Sequence, residues 1–301
     1  MGNLSVNIGG IKLKNPVMTA SGTFASGKEF HRFYDIGQLG GVTTKGVSYE
    51  PWLGNATPRI TETYGGMLNS IGLENKGFHQ FVAEDVPFFK GIDTNFMVNL
   101  CGKTIEEYVK VAEAFQGVAG IAGYELNISC PNIKEGGMAF GTDPAMVEQV
   151  VSEVKAVLDA PLIVKLSPNV TDITAIAKAA EASGADALSL INTLGGMQID
   201  IKRKKPVLST TYGGLSGPAV KPVAIAMVHK VSQAVKVPLI GMGGIMNTED
   251  ALEFLMAGAS AVAVGTANFI NPYTALEIVR GLETYMETQG LTCVSQIKME
   301  G

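Results

Sequence analysis

The chain has 301 residues, of which 46% are hydrophobic, 17% charged and 36 glycine, with a formal net charge of −5. That composition describes a folded chain with many tight turns and excludes disorder, and the charge gives no general attraction to nucleic acid or an anionic membrane. Cys101, Cys130 and Cys293 are too few and too scattered for a disulfide framework or the four thiolates of an iron–sulfur cluster. No apolar run reaches the roughly eighteen residues of a membrane span, and Met1 leads into LSVNIGGIKLKNP without a signal-peptide pattern. A cytoplasmic protein is expected, with one domain over residues 1–301, a length that suits a single α/β barrel of roughly 250 residues.

In chain order, LSVNIGGIKLKN reads first, as a β-hairpin, two alternating runs around a Gly-Gly turn. Eight short β-forming runs follow: NPVMTAS, GGVTTKG, NFMVNLCG, YELNIS, LIVKLSP, ALSLINT, PLIGMGG and AVAVGTA. Helix-patterned stretches separate them, including those starting at Thr104, Asp143 and Thr171, with Thr or Asp at the start and glycine after the end as helix caps require. Apolar strands alternating with amphipathic helices imply a parallel sheet, and eight such units close as a (β/α)8 barrel. Two connections, Ser48 to Thr94 and Leu194 to Gly217, are too long to be turns and are expected to be binding loops over the carboxyl end. The first is expected to carry its own helix near Phe78 to Phe89.

A barrel of this kind holds its site at the carboxyl ends of its strands, and here those ends are polar: Ser21, Lys45 with Gly46, Asn99, Asn127, Lys165, and Asn192 with Thr193. An ammonium among branched apolar residues is costly unless an anion meets it. Lys165 therefore reads either as a structural ion pair or as a ligand-binding group, and Lys45 in an equivalent place on another strand favours the second. Two lysines and three asparagines at one mouth suit a planar, oxygen-rich, anionic guest. Gly243, Gly244, Gly265 and Thr266 end strands seven and eight, where backbone N–H groups of many barrels hold a phosphate. No G-x-G-x-x-G opens a βαβ unit, so a nicotinamide-binding Rossmann site is not expected.

Cys130 lies three residues beyond Asn127, before a proline and a glycine-rich segment, PNIKEGGMAFGT. A thiol there can act as a base if its surroundings favour the thiolate; the plainer reading, a small buried hydrophobe, suits Cys293. Cys101 also follows a strand-end asparagine and is the rival. His31, His79 and His229 lie away from strand ends, so neither a Ser-His-Asp triad nor a metal site assembles.

Together NISCPN, NSIGLEN (Asn69 to Asn75), VKLSPN, INT and GMGGI with AVGTA closely resemble the dihydroorotate dehydrogenases of class 1, over essentially the whole chain. Among these, IKEGGMAFGTDP is more similar to the NAD-linked subtype, class 1B, than to the fumarate-linked class 1A. The resemblance implies an FMN enzyme of pyrimidine (UMP) biosynthesis with a cysteine base, where the membrane-associated class 2 uses serine and carries an N-terminal extension. It implies that (S)-dihydroorotate loses a proton to Cys130 and a hydride to FMN, giving orotate. Carried over by motif, Lys45, Asn69, Ser70, Ile71, Gly72, Leu73, Asn127, Asn192 and Thr193 would bind substrate. FMN would meet Ser21, Lys45, Gly46, Asn99, Asn127, Lys165, Ile191, Gly217, Gly243, Gly244, Gly265 and Thr266. The subtype implies a partner subunit carrying FAD and a [2Fe–2S] cluster, in a heterotetramer of two plus two chains built on a homodimer of this one.

Four other readings stand beside this one: the same chemistry with fumarate as oxidant, a flavin barrel acting on another pyrimidine, a catalytically silent flavin-binding subunit, and a flavin-free phosphate-binding lyase or isomerase in which Lys165 forms a Schiff base.

Overall fold

β1 (Val6–Ile8) and β2 (Ile11–Leu13) pair antiparallel across Gly9 and Gly10, whose φ values of 58° and 99° are the positive values such a turn demands. These and all other elements are those of a computed structural model that describes residues 2–129 and 140–299. After the hairpin come β3 (Val17–Thr19), β4 (Gly41–Thr43), β5 (Ile60–Thr63), β6 (Gly66–Asn69), β7 (Asn95–Leu100), β8 (Gly123–Asn127), β9 (Leu162–Lys165) and β10 (Ala187–Leu190). β11 (Leu194–Met197), β12 (Ile199–Asp200), β13 (Lys205–Pro206), β14 (Tyr212–Ser216), β15 (Leu239–Met242) and β16 (Ala261–Val264) complete the strands. The helices are α1 (Gly77–Glu84), α2 (Val86–Phe89), α3 (Ile105–Ala114), α4 (Pro144–Ala156), α5 (Ile173–Ala182), α6 (Lys221–Ser232), α7 (Thr248–Met256) and α8 (Thr274–Thr288).

Eight strands close a parallel barrel in the order β10-β15-β16-β3-β4-β7-β8-β9, each beside its neighbour in the chain once the inserted strands are set aside. This is the (β/α)8 barrel expected from the eight runs. Side chains alternate across each strand, and the buried residues divide accordingly. One set, including Val42, Val98, Leu126, Val164, Leu188 and Val262, packs outward against the helices. The other, Met18, Met97, Ile163, Ala187, Ile240 and Ala261, fills the barrel interior together with Ile8, Ile11 and Leu13 of the hairpin. The hairpin turn abuts the strand starts, because a Cβ on Gly9 would meet the Asp186 carbonyl and one on Gly123 would meet Ile11. It therefore plugs the amino-terminal end, which leaves the carboxyl end for the site.

Several helices start where the sequence places a cap. Thr104 Oγ1 accepts from the Glu107 amide at 3.2 Å and Asp143 Oδ1 from the Ala145 amide at 3.0 Å. α5 starts one residue later than expected, capped by Asp172 on the Thr174 amide at 2.9 Å, because the carboxylate of Asp172 is the side chain in reach. The two long connections are more ordered than loops. They contribute β5, β6, β11 and β14, which form one antiparallel sheet in the order β11-β14-β6-β5, and the first also carries α1 and α2 as expected. No helix among the described residues is long and apolar enough to cross a membrane.

Candidate active site

Alternation along the strands decides which polar side chains meet inside the barrel. Two residues beyond Met97, Ile163 and Ala187, on the same inward face, stand Asn99, Lys165 and Ser189; two beyond Gly123 stands Glu125, and two further Asn127. All five are buried. Lys165 Nζ donates to Ser21 Oγ at 3.0 Å and lies 3.9 Å from Glu125 Oε1. Asn99 Nδ2 donates to Glu125 Oε1 at 2.7 Å and to Ser21 Oγ at 3.4 Å, closing a ring of four side chains from four strand ends. Ser189 Oγ donates to the other carboxylate oxygen at 2.8 Å.

Lys165 thus has both properties that its sequence context allowed, an anionic neighbour and a place at the mouth. Glu125 is a site residue that the strand-end reading misses. The available signal was the one that exposed Lys165, an ionisable residue inside an apolar strand, at a spacing of two from Asn127.

A second group adjoins the first. Asn192 Nδ2 donates to Asn127 Oδ1 at 3.3 Å, and Asn192 Oδ1 accepts from the Thr193 amide at 2.8 Å. Thr193 in turn is held by Asn169, which donates to its carbonyl at 2.9 Å and accepts from the Gly195 amide at 2.8 Å. A Cβ on Gly214 would overlap Thr193 Oγ1, and Gly214 is the register partner of Asn69, so the accessory sheet brings Asn69 to Thr193. Ser70 follows with its hydroxyl buried and without a partner among the described residues. Gly72 and Leu73 take left-handed φ values of 73° and 54°, turning the chain after Ile71, whose carbonyl accepts from the Asn55 amide at 3.0 Å.

Lys45 follows β4, and its own amide donates to the Ala25 carbonyl at 2.8 Å. Burial pushes the Lys45 pKa below the ordinary lysine value, against the opposing pull of the Glu74 carboxylate. Glu74 is itself paired with Arg59. A cleft of about 490 Å³ opens beside Lys45, lined in part by Gly46, Trp52, Glu74 and Asn75. Gly46 is packed so that a Cβ would strike Cys101 Sγ and come within 2.9 Å of Asn99 Oδ1. Cys101 is fully buried and donates to Asn99 Oδ1 at 3.4 Å, which accounts for it as a packed neighbour of the site.

The glycines of the last strands form the third group. Gly217, Gly243 and Gly244 have φ of 103°, 122° and 82°, a region that side chains disfavour. They lie together: a Cβ on Gly244 would come within 2.9 Å of the Gly217 carbonyl, and one on Gly243 within 3.2 Å of Ile191. Thr266 Oγ1 donates to Ser216 Oγ at 2.8 Å, beside Gly217. Gly265 is open, its nearest neighbour for an added Cβ being Ala20 at 3.5 Å. Glycines gathered in this way at strand ends present backbone N–H groups without side chains of their own, which suits an oxyanion such as phosphate. Cys130 lies outside the described residues, next to Ser129, whose hydroxyl is buried without a partner among them. The three histidines lie in peripheral helical segments, His79 and His229 exposed, and no cluster of metal-ligating side chains exists among the described residues.

A barrel with glycine backbone at one side of its carboxyl mouth, a buried lysine and glutamate at its floor and paired amides beside them has the groups to receive an anion and a small polar molecule. Comparison with known proteins narrows this class. A family model described as dihydroorotate dehydrogenase matches residues 3–286. Dihydroorotate dehydrogenase B (NAD(+)), catalytic subunit, of Alkaliphilus metalliredigens is 58% identical over 296 residues, 98% of each chain. The proteins of the same name from Alkaliphilus oremlandii and Lachnoclostridium phytofermentans are 59% and 57% identical over 295 residues, covering 98% of this chain and 97% and 98% of theirs. The chain belongs to the dihydroorotate dehydrogenase family.

Proposed function

We propose that this chain is the catalytic subunit of an NAD-linked dihydroorotate dehydrogenase, oxidising (S)-dihydroorotate to orotate in pyrimidine biosynthesis with FMN as its cofactor. The observation that carries the reading is the ring of Ser21, Lys165, Glu125 and Asn99 at the floor of the mouth, with the Asn127–Asn192 amide pair beside it. The name of these relatives, which specifies NAD(+) and a catalytic subunit, supports the subtype.

The residues present fit FMN. Gly217, Gly243, Gly244 and Gly265 carry no side chains of their own, which leaves their backbone amides available to a phosphate beside Thr266, and the buried polar floor offers donors to a ring rich in oxygen and nitrogen. Ser21, Lys45, Gly46, Asn99, Asn127, Lys165 and Ile191 would hold the rest of the cofactor. FMN bound there supplies the acceptor for the hydride that leaves C6 of dihydroorotate.

The chain's own groups do the remaining work. The Lys45 ammonium is partly desolvated, so an anionic substrate gains more from it than from an exposed lysine. Asn127, Asn192 and Thr193, hydrogen-bonded in series at the mouth, and Asn69, held beside them by the accessory sheet, orient the substrate so that its C5–H faces the base. The Ser70 hydroxyl, without a partner among the described residues, and Ile71 with the left-handed turn at Gly72 and Leu73 that follows it complete that wall. The Cys130 thiolate takes the C5 proton onto its sulfur.

Residues 1–301 act as one domain, a reading supported by barrel strands that run from Val17 to Val264. The electrons pass to a partner subunit carrying FAD and a [2Fe–2S] cluster, in a cytoplasmic heterotetramer of two plus two chains around a dimer of this one; three cysteines are too few for the cluster to sit here. Purifying the chain with and without such a partner tests the subtype. Dihydroorotate-dependent NAD reduction is expected only with the partner present, whereas rapid fumarate reduction by the chain alone would assign it to the fumarate-linked subtype.

A further inference from the structure

We propose that Glu125 is a positioning residue that sets how much of the Lys165 charge the bound flavin feels, an inference that rests on the flavin reading above. Both oxygens of the Glu125 carboxylate are occupied by groups other than the lysine. Oε1 takes the Asn99 amide at 2.7 Å and Oε2 the Ser189 hydroxyl at 2.8 Å, in a side chain 2% exposed. The amide nitrogen of Asn99 can only donate, so Oε1 is the acceptor of that hydrogen bond.

Lys165 Nζ stands 3.9 Å from this carboxylate, beyond hydrogen-bond distance, and makes its hydrogen bond to Ser21 Oγ instead. Charge-assisted contacts are ordinarily shorter than this; Lys221 Nζ, for comparison, lies 2.6 Å from both Asp250 and Glu253. A buried pair is also a poor source of stability compared with apolar packing. At Lys165 the counter-charge is present but held back by Asn99 and Ser189, so the ammonium is compensated in part and keeps donor capacity for a ligand. Reduction would add negative charge to a flavin bound at this mouth, so a residual positive charge from Lys165 would favour the reduced state. Glu125 moderates that preference from a distance, and its amide partner Asn99 is oriented by the same carboxylate.

The test is the midpoint potential of the FMN-loaded full chain, measured anaerobically against reference dyes, a readout that needs no dihydroorotate. Glu125→Gln keeps the shape and removes the charge; the potential is expected to rise by the equivalent of about tenfold in the reduction equilibrium, ~30 mV for a two-electron couple. Glu125→Asp restores the charge and is expected to return most of the way to the unmodified value. Ser189→Ala releases Oε2 to act on Lys165 and is expected to lower the potential. Should Glu125→Gln fail to fold, Ser189→Ala decides alone. A potential unmoved by the substitutions that fold, with stability alone reduced, overturns the proposal and leaves the dehydrogenase reading standing. Flavin that binds but is not bleached by dihydroorotate overturns that reading while the potential comparison still holds, and a chain that binds no flavin overturns both.

Discussion

The two ends of this barrel are made by the same strands and differ in chemistry. Near the amino end Met97, Ile163, Ala187 and Ile240 pack with Ile8, Ile11 and Leu13 of the hairpin; one pleat further along stand Asn99, Lys165 and Ser189, with Glu125 beside them. An apolar side chain in the upper layer would gain burial energy, and burying charges there costs desolvation. The lower layer therefore holds the barrel together and the upper one gives up stability for a charged floor at a site. A displacement of two residues along a strand separates the roles.

The largest expected effect comes from removing the floor's cation. Lys165→Met leaves Glu125 buried with neutral donors only, which should cost about 3–5 kcal/mol in stability and weaken FMN binding by roughly tenfold to a hundredfold, the loss of one charge-assisted contact. Urea unfolding and flavin fluorescence titration measure both. At the other end Ile163→Ala should cost about 2–5 kcal/mol through a cavity yet leave FMN affinity within about twofold, because no polar group shifts. Equal loss of affinity in the two variants would erase the division.

The smallest effect is expected at Lys45. Burial lowers its folded pKa below the 10.5 of an ordinary lysine, so between those values the unfolded chain binds more protons and stability rises with pH; below the folded pKa the buried charge is a standing cost. In the flavin-free chain, Lys45→Met should raise stability at neutral pH and flatten the alkaline rise, as unfolding at two pH values would reveal.

The barrel was legible in the sequence because its strands are continuous apolar runs between capped helices, and the strand-end polar residues could be read from their place in those runs. The accessory sheet was not. Its strands, such as Leu194–Met197 and Tyr212–Ser216, are glycine-rich and half exposed, and β14 pairs with a segment roughly 145 residues earlier, beyond what local pattern reports. Within YELNIS, Glu125 shows only as an ionisable residue among apolar ones; only the closed barrel brings a carboxylate on β8 beside an ammonium on β9 and an amide on β7. Motif resemblance supplied the remaining assignments, Ile71 and Ile191 among them, whose apolar side chains carry no chemical signal of their own.

The central claim is that the polar end of the barrel oxidises dihydroorotate through a bound flavin. Its most direct test is the visible spectrum of the purified, FMN-loaded chain, recorded without oxygen before and after adding dihydroorotate. The flavin absorbance is expected to bleach, with one orotate formed per flavin. A flavin that stays oxidised in the presence of dihydroorotate would contradict the account.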